Sequence, residues 1–319
     1  VIEISDIRAA ATRIVGRVHR TPILSASAIG ERAGVRLLLK CESFQKTGSF
    51  KARGALNKVM SLTDAERARG LVTVSAGNHA QAVAWAGREM GVPSIVVMPT
   101  DAPRSKLLAV RGYGAEVILH DDRATLFDRL HEVEKERGAT FVHPFDDPVV
   151  LAGAGTLGLE IVQDAPTLDA VVVPVGGGGL MSGVATAIDS LRPETKVIAV
   201  ELEEGPGLKP ALEAGKPVPV ARPDTIADGM TPPFVGAIPL EVARRRVDAI
   251  VTVSEREIIE AIKLLVTRAK LWVEGAGAAA TAAILAGKVE VRAGATVLAI
   301  VSGANVDPER VLRFFETEG

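Results

Sequence analysis

Apolar and β-branched residues fall in short blocks along the chain, and between the blocks apolar positions recur at helical spacing. Leu71–Ser75, Ser94–Met98, Glu116–Leu119 and Thr140–His143 read as one set of buried strands. Ala170–Val175, Lys196–Val200, Ala249–Val253 and Thr296–Val301 read as a second set. Such apolar runs suit parallel strands covered on both faces. The intervening stretches His79–Met90, Ser105–Tyr113, Leu126–Arg137, Leu180–Leu191, Glu255–Lys270 and Ala276–Ala286 have the length and period of crossover helices. This alternation predicts an α/β fold of two open, mostly parallel-sheet lobes. The turn-rich segment His143-Pro144-Phe145-Asp146-Asp147-Pro148 separates the two sets. Residues 64–145 are therefore expected to form the smaller lobe, and residues 1–63 with 146–319 the larger.

Composition narrows the function. At 319 residues the chain can support two lobes, each with its own core. A net charge of −2, with Lys and Arg scattered among carboxylates, leaves no basic footprint for nucleic acid or an anionic membrane. The single cysteine, Cys41, excludes an intramolecular disulfide and a cysteine-cluster metal site. Within Leu37-Leu38-Leu39-Lys40-Cys41 it reads as a small buried hydrophobe on a strand. The opening Val-Ile-Glu-Ile-Ser-Asp lacks a secretory pattern, and the apolar runs fall short of a membrane span. A soluble cytoplasmic protein is expected.

Several segments carry chemistry. In Gly48-Ser49-Phe50-Lys51-Ala52-Arg53-Gly54 a loop hands over to a helix, with Ser49 expected as its cap and Lys51 in the first turn. That position, beside unpaired N–H groups, disfavours an ammonium and suits a nucleophilic amine. Val171–Val175 leads into Gly176-Gly177-Gly178-Gly179-Leu180 and then a helix. Four residues without side chains let backbone N–H groups close around a phosphate dianion. No Gly-Lys-Ser/Thr follows, so a nucleotide-triphosphate loop is disfavoured. Gly153-Ala-Gly155-Thr-Leu-Gly158 matches a dinucleotide fingerprint formally, but no clear strand precedes it, so it reads as close helix packing. Ser75-Ala76-Gly77-Asn78-His79 follows a strand and opens a helix, where it can hold a carboxylate. Ser302 ends the last strand, at the carboxyl edge where open α/β sheets bind ligands.

Taken in order, these segments resemble the fold-type II (tryptophan synthase β-like) pyridoxal 5′-phosphate (PLP) enzymes, specifically the threonine/serine dehydratase and serine racemase group. The resemblance covers essentially the whole chain. It implies that Lys51 is the Schiff-base lysine, that Phe50 lies beside the cofactor ring, and that Asn78 meets the 3′-oxygen. It implies further that Gly176, Gly177, Gly178, Gly179 and Leu180 form the phosphate cup, and that Ser302 meets the pyridine nitrogen. Ser75, Ala76, Gly77, Asn78 and His79 would line the substrate carboxylate, with Gly229 and Glu274 at the cofactor's other edges. A serine hydroxyl at the ring nitrogen keeps the ring largely neutral, which favours rapid expulsion of a β-substituent.

The implied reaction is loss of water from L-threonine, and from L-serine, to give a 2-oxo acid and ammonia. Racemases of the group resemble Ser-Ser-Gly-Asn-His in the substrate loop, and the second serine reprotonates the far face of Cα. Here that position is Ala76, which has no exchangeable proton, so elimination is favoured over serine racemase activity. A cysteine synthase is disfavoured because its Thr-Ser-Gly-Asn-Thr loop is not seen. A non-catalytic binder of phosphorylated metabolites would need no Lys51. Relatives also bind a divalent cation (Mg or Ca). Glu201 and Gly205 match two of its ligands while the third falls on Gly207, leaving Glu203, Glu204 or water to complete the set. The chain stops about where the catalytic body ends, so no C-terminal regulatory domain is expected, and the family implies a homodimer or homotetramer.

Overall fold

The computed structural model describes residues 1–316, and among these ten strands form. They are β1 Ile23–Ser25, β2 Arg36–Cys41, β3 Leu71–Val74, β4 Ser94–Pro99, β5 Glu116–His120, β6 Thr140–Phe141, β7 Ala170–Pro174, β8 Lys196–Leu202, β9 Ala249–Val253 and β10 Thr296–Val301. One sheet has the order β1-β2-β10-β7-β8-β9 and the other β5-β4-β3-β6. β1 pairs antiparallel with β2, and every other strand pair is parallel. No helix among the described residues is long and apolar enough to cross a membrane.

The apolar runs are continuous because both faces of the large sheet are covered. Val171, Val173, Leu298 and Ile300 point into one layer with Leu157, Val184 and Leu240. Val172, Ile198 and Ala299, from the same sheet, point into the opposite layer with Ile258 and Ala279. The four-stranded sheet is sandwiched in the same way. Val72 and Val97 meet Leu130 and Val133 on one side, while Val96 and Met98 meet Ala80 and Ala84 on the other.

Two expected elements end differently. The strand expected over Thr140–His143 stops at Phe141, because the carbonyl of Val142 is taken by Thr73 Oγ1 and by the His79 ring, both at 2.9 Å. Those bonds turn the chain out of the sheet and toward residues 143–147. The helix expected over Glu255–Lys270 is α-helical to Leu264 and continues as a π-helical turn, Leu265–Ala269. It ends at Lys270, which adopts the left-handed conformation (φ 58°).

Gly153, Gly155 and Gly158 lie inside the helix Pro148–Asp164, whose first N–H groups are capped by Asp147 Oδ1 (2.8 Å to Val149 N). A Cβ on Gly153 would stand 2.7 Å from the backbone oxygen of Arg53, so this glycine lets the helix cross the Lys51 helix closely. The formal dinucleotide pattern is thus a helix-packing surface. The N-terminal helix Ile4–Ile14 lies on the same helix, with Ile7, Leu151 and Ala187 in one cluster.

Beneath the Lys51 helix is a cluster of four buried charges. Arg53 forks onto Glu42 (Nε–Oε2 and Nη2–Oε1, both 2.8 Å) and onto Glu160 (Nη1–Oε1, 2.7 Å). Lys40 completes it with 2.6 Å to Glu160 Oε2 and 2.7 Å to the carbonyl of Thr21. Burial works against the Glu42 carboxylate, but Arg53 outweighs it and holds the acid below its ordinary range. Two cations and two anions, each with fixed partners, make burial of all four tolerable.

Candidate active site

Three strand ends and one helix start converge on a cleft of about 630 Å3 that runs between the sheets. β3 leads into Ser75–Asn78, β7 into the glycine loop and β10 into Ser302. Lys51 begins the helix Lys51–Ser61.

Ser49 is not the cap of that helix. Phe50 occupies the capping position, without a side-chain hydrogen bond, while Ser49 forms an antiparallel bridge with Gly303. The bridge fixes Ser49 against the end of β10 and leaves its buried hydroxyl without a partner. It also draws the start of the Lys51 helix onto the strand that carries Ser302, through Phe50 N to Ser302 O at 3.1 Å.

The amine of Lys51 donates to the carbonyl of Pro144 at 2.5 Å and lies 5.1 Å from the centre of the Phe50 ring. Burial lowers its pKa to about 8, so near neutrality an appreciable share of the amine is unprotonated. His143 shapes the segment that offers this carbonyl. Its Nδ1 accepts from Phe145 N (3.2 Å) and Asp146 N (2.8 Å), which requires an unprotonated nitrogen. Burial first, and the Lys51 charge second among the lowering influences, bring its pKa to about 4, so the ring stays neutral.

Opposite Lys51, Gly176–Gly179 wraps into the helix Gly179–Leu191. Gly178 has φ +90°, a conformation that side-chain-bearing residues rarely adopt. Gly177 faces the Phe145 ring so closely that a Cβ there would penetrate it. Leu180, in the first turn, is buried behind the loop. A loop of this shape at the start of a long helix offers convergent N–H groups and the positive end of the helix dipole.

Asn78 is held at both ends. Its Nδ2 donates to Glu274 Oε1 at 2.6 Å and its Oδ1 accepts from Asn305 Nδ2 at 2.8 Å, leaving one N–H for a ligand. Glu274 keeps Oε2 buried without a partner, and burial raises its pKa to about 7. Ser302 Oγ donates to the carbonyl of Ala276 at 3.2 Å, so the group at this strand end is uncharged. Gly229 lines the cleft beside the loop, with its carbonyl 3.1 Å from where a Cβ on Gly176 would lie.

Ser75, Ala76 and Gly77 line the cleft, with Ser75 Oγ accepting from Gly77 N at 3.1 Å. The helix Asn78–Met90 starts here, so its first N–H groups point at the loop. The His79 side chain is committed elsewhere, on Val142, and burial, with the Lys51 charge adding to it, holds its pKa well below the ordinary value. Its contribution to an anion site is its backbone N–H.

Glu201 and Gly205 stand apart from the cleft. Glu201 Oε1 accepts from Gly207 N (2.7 Å) and Leu208 N (2.6 Å), and Oε2 from Lys209 N (3.2 Å), capping the helix Leu208–Ala214. Among the described residues no group of three or more His, Cys, Asp or Glu side chains is arranged to hold a metal. Cys41 is fully buried, and burial pushes its thiol up to about 12.

The cleft also holds residues that no sequence pattern singled out: Pro144 and Phe145, treated only as a crossing segment, and Lys106, Arg123 and Phe127. Phe127, Phe145 and Phe234 join His143 in one aromatic cluster, with Phe145 edge-on to His143 at 4.8 Å. The signal available for Pro144 and Phe145 was their place just beyond a strand's carboxyl end.

The residues present fit PLP. The glycine loop forms a cradle that side chains would fill, a partly neutral lysine amine faces the same cleft, and an uncharged hydroxyl closes the third strand end. Residues 14–303 match the family model described as pyridoxal-phosphate dependent enzyme. The chain belongs to that family. It is 45% identical over 316 residues to the L-threonine ammonia-lyase of Thermotoga maritima, covering 98% of this chain and 78% of the relative. A solved threonine deaminase from the organism abbreviated T.th. superposes with a TM-score of 0.88 at 42% identity, over 96% of this chain and 99% of that one. Maize serine racemase superposes with a TM-score of 0.93 at 36% identity, over 99% and 97%.

Proposed function

We propose that this member of the family eliminates water from L-threonine, and from L-serine, releasing 2-oxobutanoate or pyruvate and ammonia. The observation that carries the reading is the meeting of Lys51 and the four-glycine loop on one cleft in which position 76 is alanine. The named activities of the threonine ammonia-lyase and threonine deaminase relatives support it.

In this reading residues 1–63 and 146–319 form the cofactor-holding domain, and 64–145 the domain that meets the substrate carboxylate. Gly176–Gly179 and the start of the following helix would hold the PLP phosphate, Asn78 and Ser302 the edges of the ring, and Lys51 the aldehyde carbon, with Phe50, Gly229 and Glu274 alongside. Bound there, PLP supplies an electron sink that makes the α-hydrogen of an amino acid acidic.

The remaining work belongs to the protein. The N–H groups of Gly77, Asn78 and His79, with the Ser75 hydroxyl, hold the substrate carboxylate at a helix start. Lys51, with its pKa lowered to about 8 by burial, takes the α-proton on Nζ. The Cβ–O bond then breaks with its electron pair going to oxygen, which leaves as water after receiving a proton. The apolar wall of Phe127 and Phe145 limits water in the cleft. The freed enamine tautomerises and is hydrolysed to the 2-oxo acid and ammonia.

Serine racemase is the second reading, favoured by the close superposition on the maize enzyme. Against it, Ala76 cannot return a proton to the far face of Cα. A divalent cation at Glu201 and Gly205 would compete with the three N–H groups already on that carboxylate, and no step here uses one. A homodimer or homotetramer is inferred from the family resemblance alone.

The test incubates PLP-loaded protein separately with L-threonine and L-serine and follows 2-oxo acid, ammonia and D-amino acid. Rapid 2-oxobutanoate without D-product is the expected outcome. D-serine as the main product would overturn the reading in favour of racemisation.

A further inference from the structure

One ion pair at the cleft has no part in the chemistry above. Lys106 lies on the helix Arg104–Gly112 beside the four-stranded sheet, and Asp228 on the short helical turn Asp228–Met230 beside the six-stranded one. They meet across the cleft with Lys106 Nζ 2.6 Å from Asp228 Oδ2, and their side chains are only 9% and 22% exposed. Both line the cleft. Lys106 also touches the carboxylate loop, since a Cβ on Gly77 would lie 3.7 Å from its Nζ. A partly buried cation is therefore held next to the substrate loop and neutralised from the opposite side. Another cation lining the cleft from the small-sheet side, Arg123, is likewise committed, with Nε 2.9 Å from Asp101 Oδ2.

This arrangement separates substrates by charge. One carboxylate, the α-group, finds unpaired N–H donors at the start of the helix Asn78–Met90. A second carboxylate on Cβ would find Lys106 already spent and the Asp228 carboxylate facing it. Like charges brought together in such a setting cost several kcal/mol.

We infer that the Lys106–Asp228 pair is a specificity determinant that excludes dicarboxylic amino acids and reserves the cleft for β-hydroxy amino acids with uncharged side chains. The inference rests on the proposed dehydratase reading and deepens it. Without the Asp228 carboxylate, Lys106 becomes a free cation able to take a side-chain carboxylate. 3-Hydroxy-L-aspartate would then be eliminated as threonine is. Its α-proton goes to Lys51, its Cβ–O bond breaks with the electron pair leaving on oxygen, and oxaloacetate and ammonia are released.

The experiment compares kcat/KM for L-threonine and 3-hydroxy-L-aspartate in the PLP-loaded protein, in Asp228→Asn, and in Asp228→Asn combined with Lys106→Met. The protein is expected to prefer threonine by about 100-fold or more. Asp228→Asn should narrow that ratio at least tenfold, and adding Lys106→Met should restore the discrimination. Calorimetry with two amino acids that carry no leaving group gives a readout independent of turnover. The unsubstituted protein should bind L-2-aminobutyrate at least tenfold more tightly than L-aspartate, and this stands even if a variant does not fold. Equal use of both substrates by the unsubstituted protein, or an unchanged ratio in Asp228→Asn, overturns the inference. Failure on threonine with the calorimetric preference intact would instead remove the dehydratase reading and leave the charge filter standing.

Discussion

At the scale of single residues, the amine of Lys51 is the feature on which the chemistry turns. Its sequence position at a loop-to-helix junction pointed to a lowered pKa through the helix dipole. The structure gives a more direct cause, burial of the amine against Pro144 and Phe50. Because a lysine attacks an aldehyde only when neutral, the sign of the pH dependence follows. Capture of PLP by the cofactor-free protein should speed up as pH rises and level off above about 8. Stopped-flow absorbance from neutral to strongly alkaline pH checks this, and a midpoint near the ordinary lysine value of 10.5 would contradict the burial argument. The sequence could not reveal the partners that orient the other groups. Asn305 lies 227 positions from Asn78, and no local pattern joins them. His79 shows the converse, since a histidine in a loop beside a substrate site drew a binding role while its ring bolts that loop to Val142.

Among the elements, the strand–glycine–helix unit over residues 170–191 was legible because its parts are contiguous. An apolar strand, four glycines and a helix need no tertiary information to be read as an anion cradle. Gly178 is the position where the backbone leaves least choice. Its φ of +90° and the 2.5 Å approach of Pro239 to any Cβ there mean that Gly178→Ala must shift the loop. A strained left-handed residue costs about 1–2 kcal/mol, so PLP affinity should fall about tenfold or more with the fold retained. Fluorescence titration with PLP measures this, and unchanged affinity would separate the loop from the phosphate. Element ends were less legible. Ser49 looked like a cap from its residue type, yet its pairing with the distant Gly303 decides its backbone. The strand at Thr140 ended early for a similar reason, a side-chain bond from a distant helix.

On the scale of the whole molecule, two sheets face one another across the cleft, and parallel topology brings the strand ends to it. The alternation of strand and helix patterns conveyed that much, because each crossover is local. How the Lys51 helix is anchored was not legible. Arg53, Glu42, Glu160 and Lys40 are far apart in the chain and would each have read as surface charges, yet all four are buried under the catalytic helix. Removing one partner from such a cluster leaves uncompensated charge at a cost of about 3–5 kcal/mol. Arg53→Met should therefore lower the urea midpoint clearly, and a midpoint unchanged from the parent would show that the cluster contributes little. A surface pair such as Arg137–Glu116, about half exposed on both sides, should by contrast be nearly silent when broken.

The most direct test of the account asks which lysine holds the cofactor. PLP-loaded protein would be reduced with borohydride, which fixes the cofactor covalently to its lysine, and then digested and mapped by mass spectrometry. The account predicts a single modified peptide carrying the label on Lys51, and loss of that label in Lys51→Ala. Labelling at Lys106 or another lysine, or no stable label at all, would contradict it.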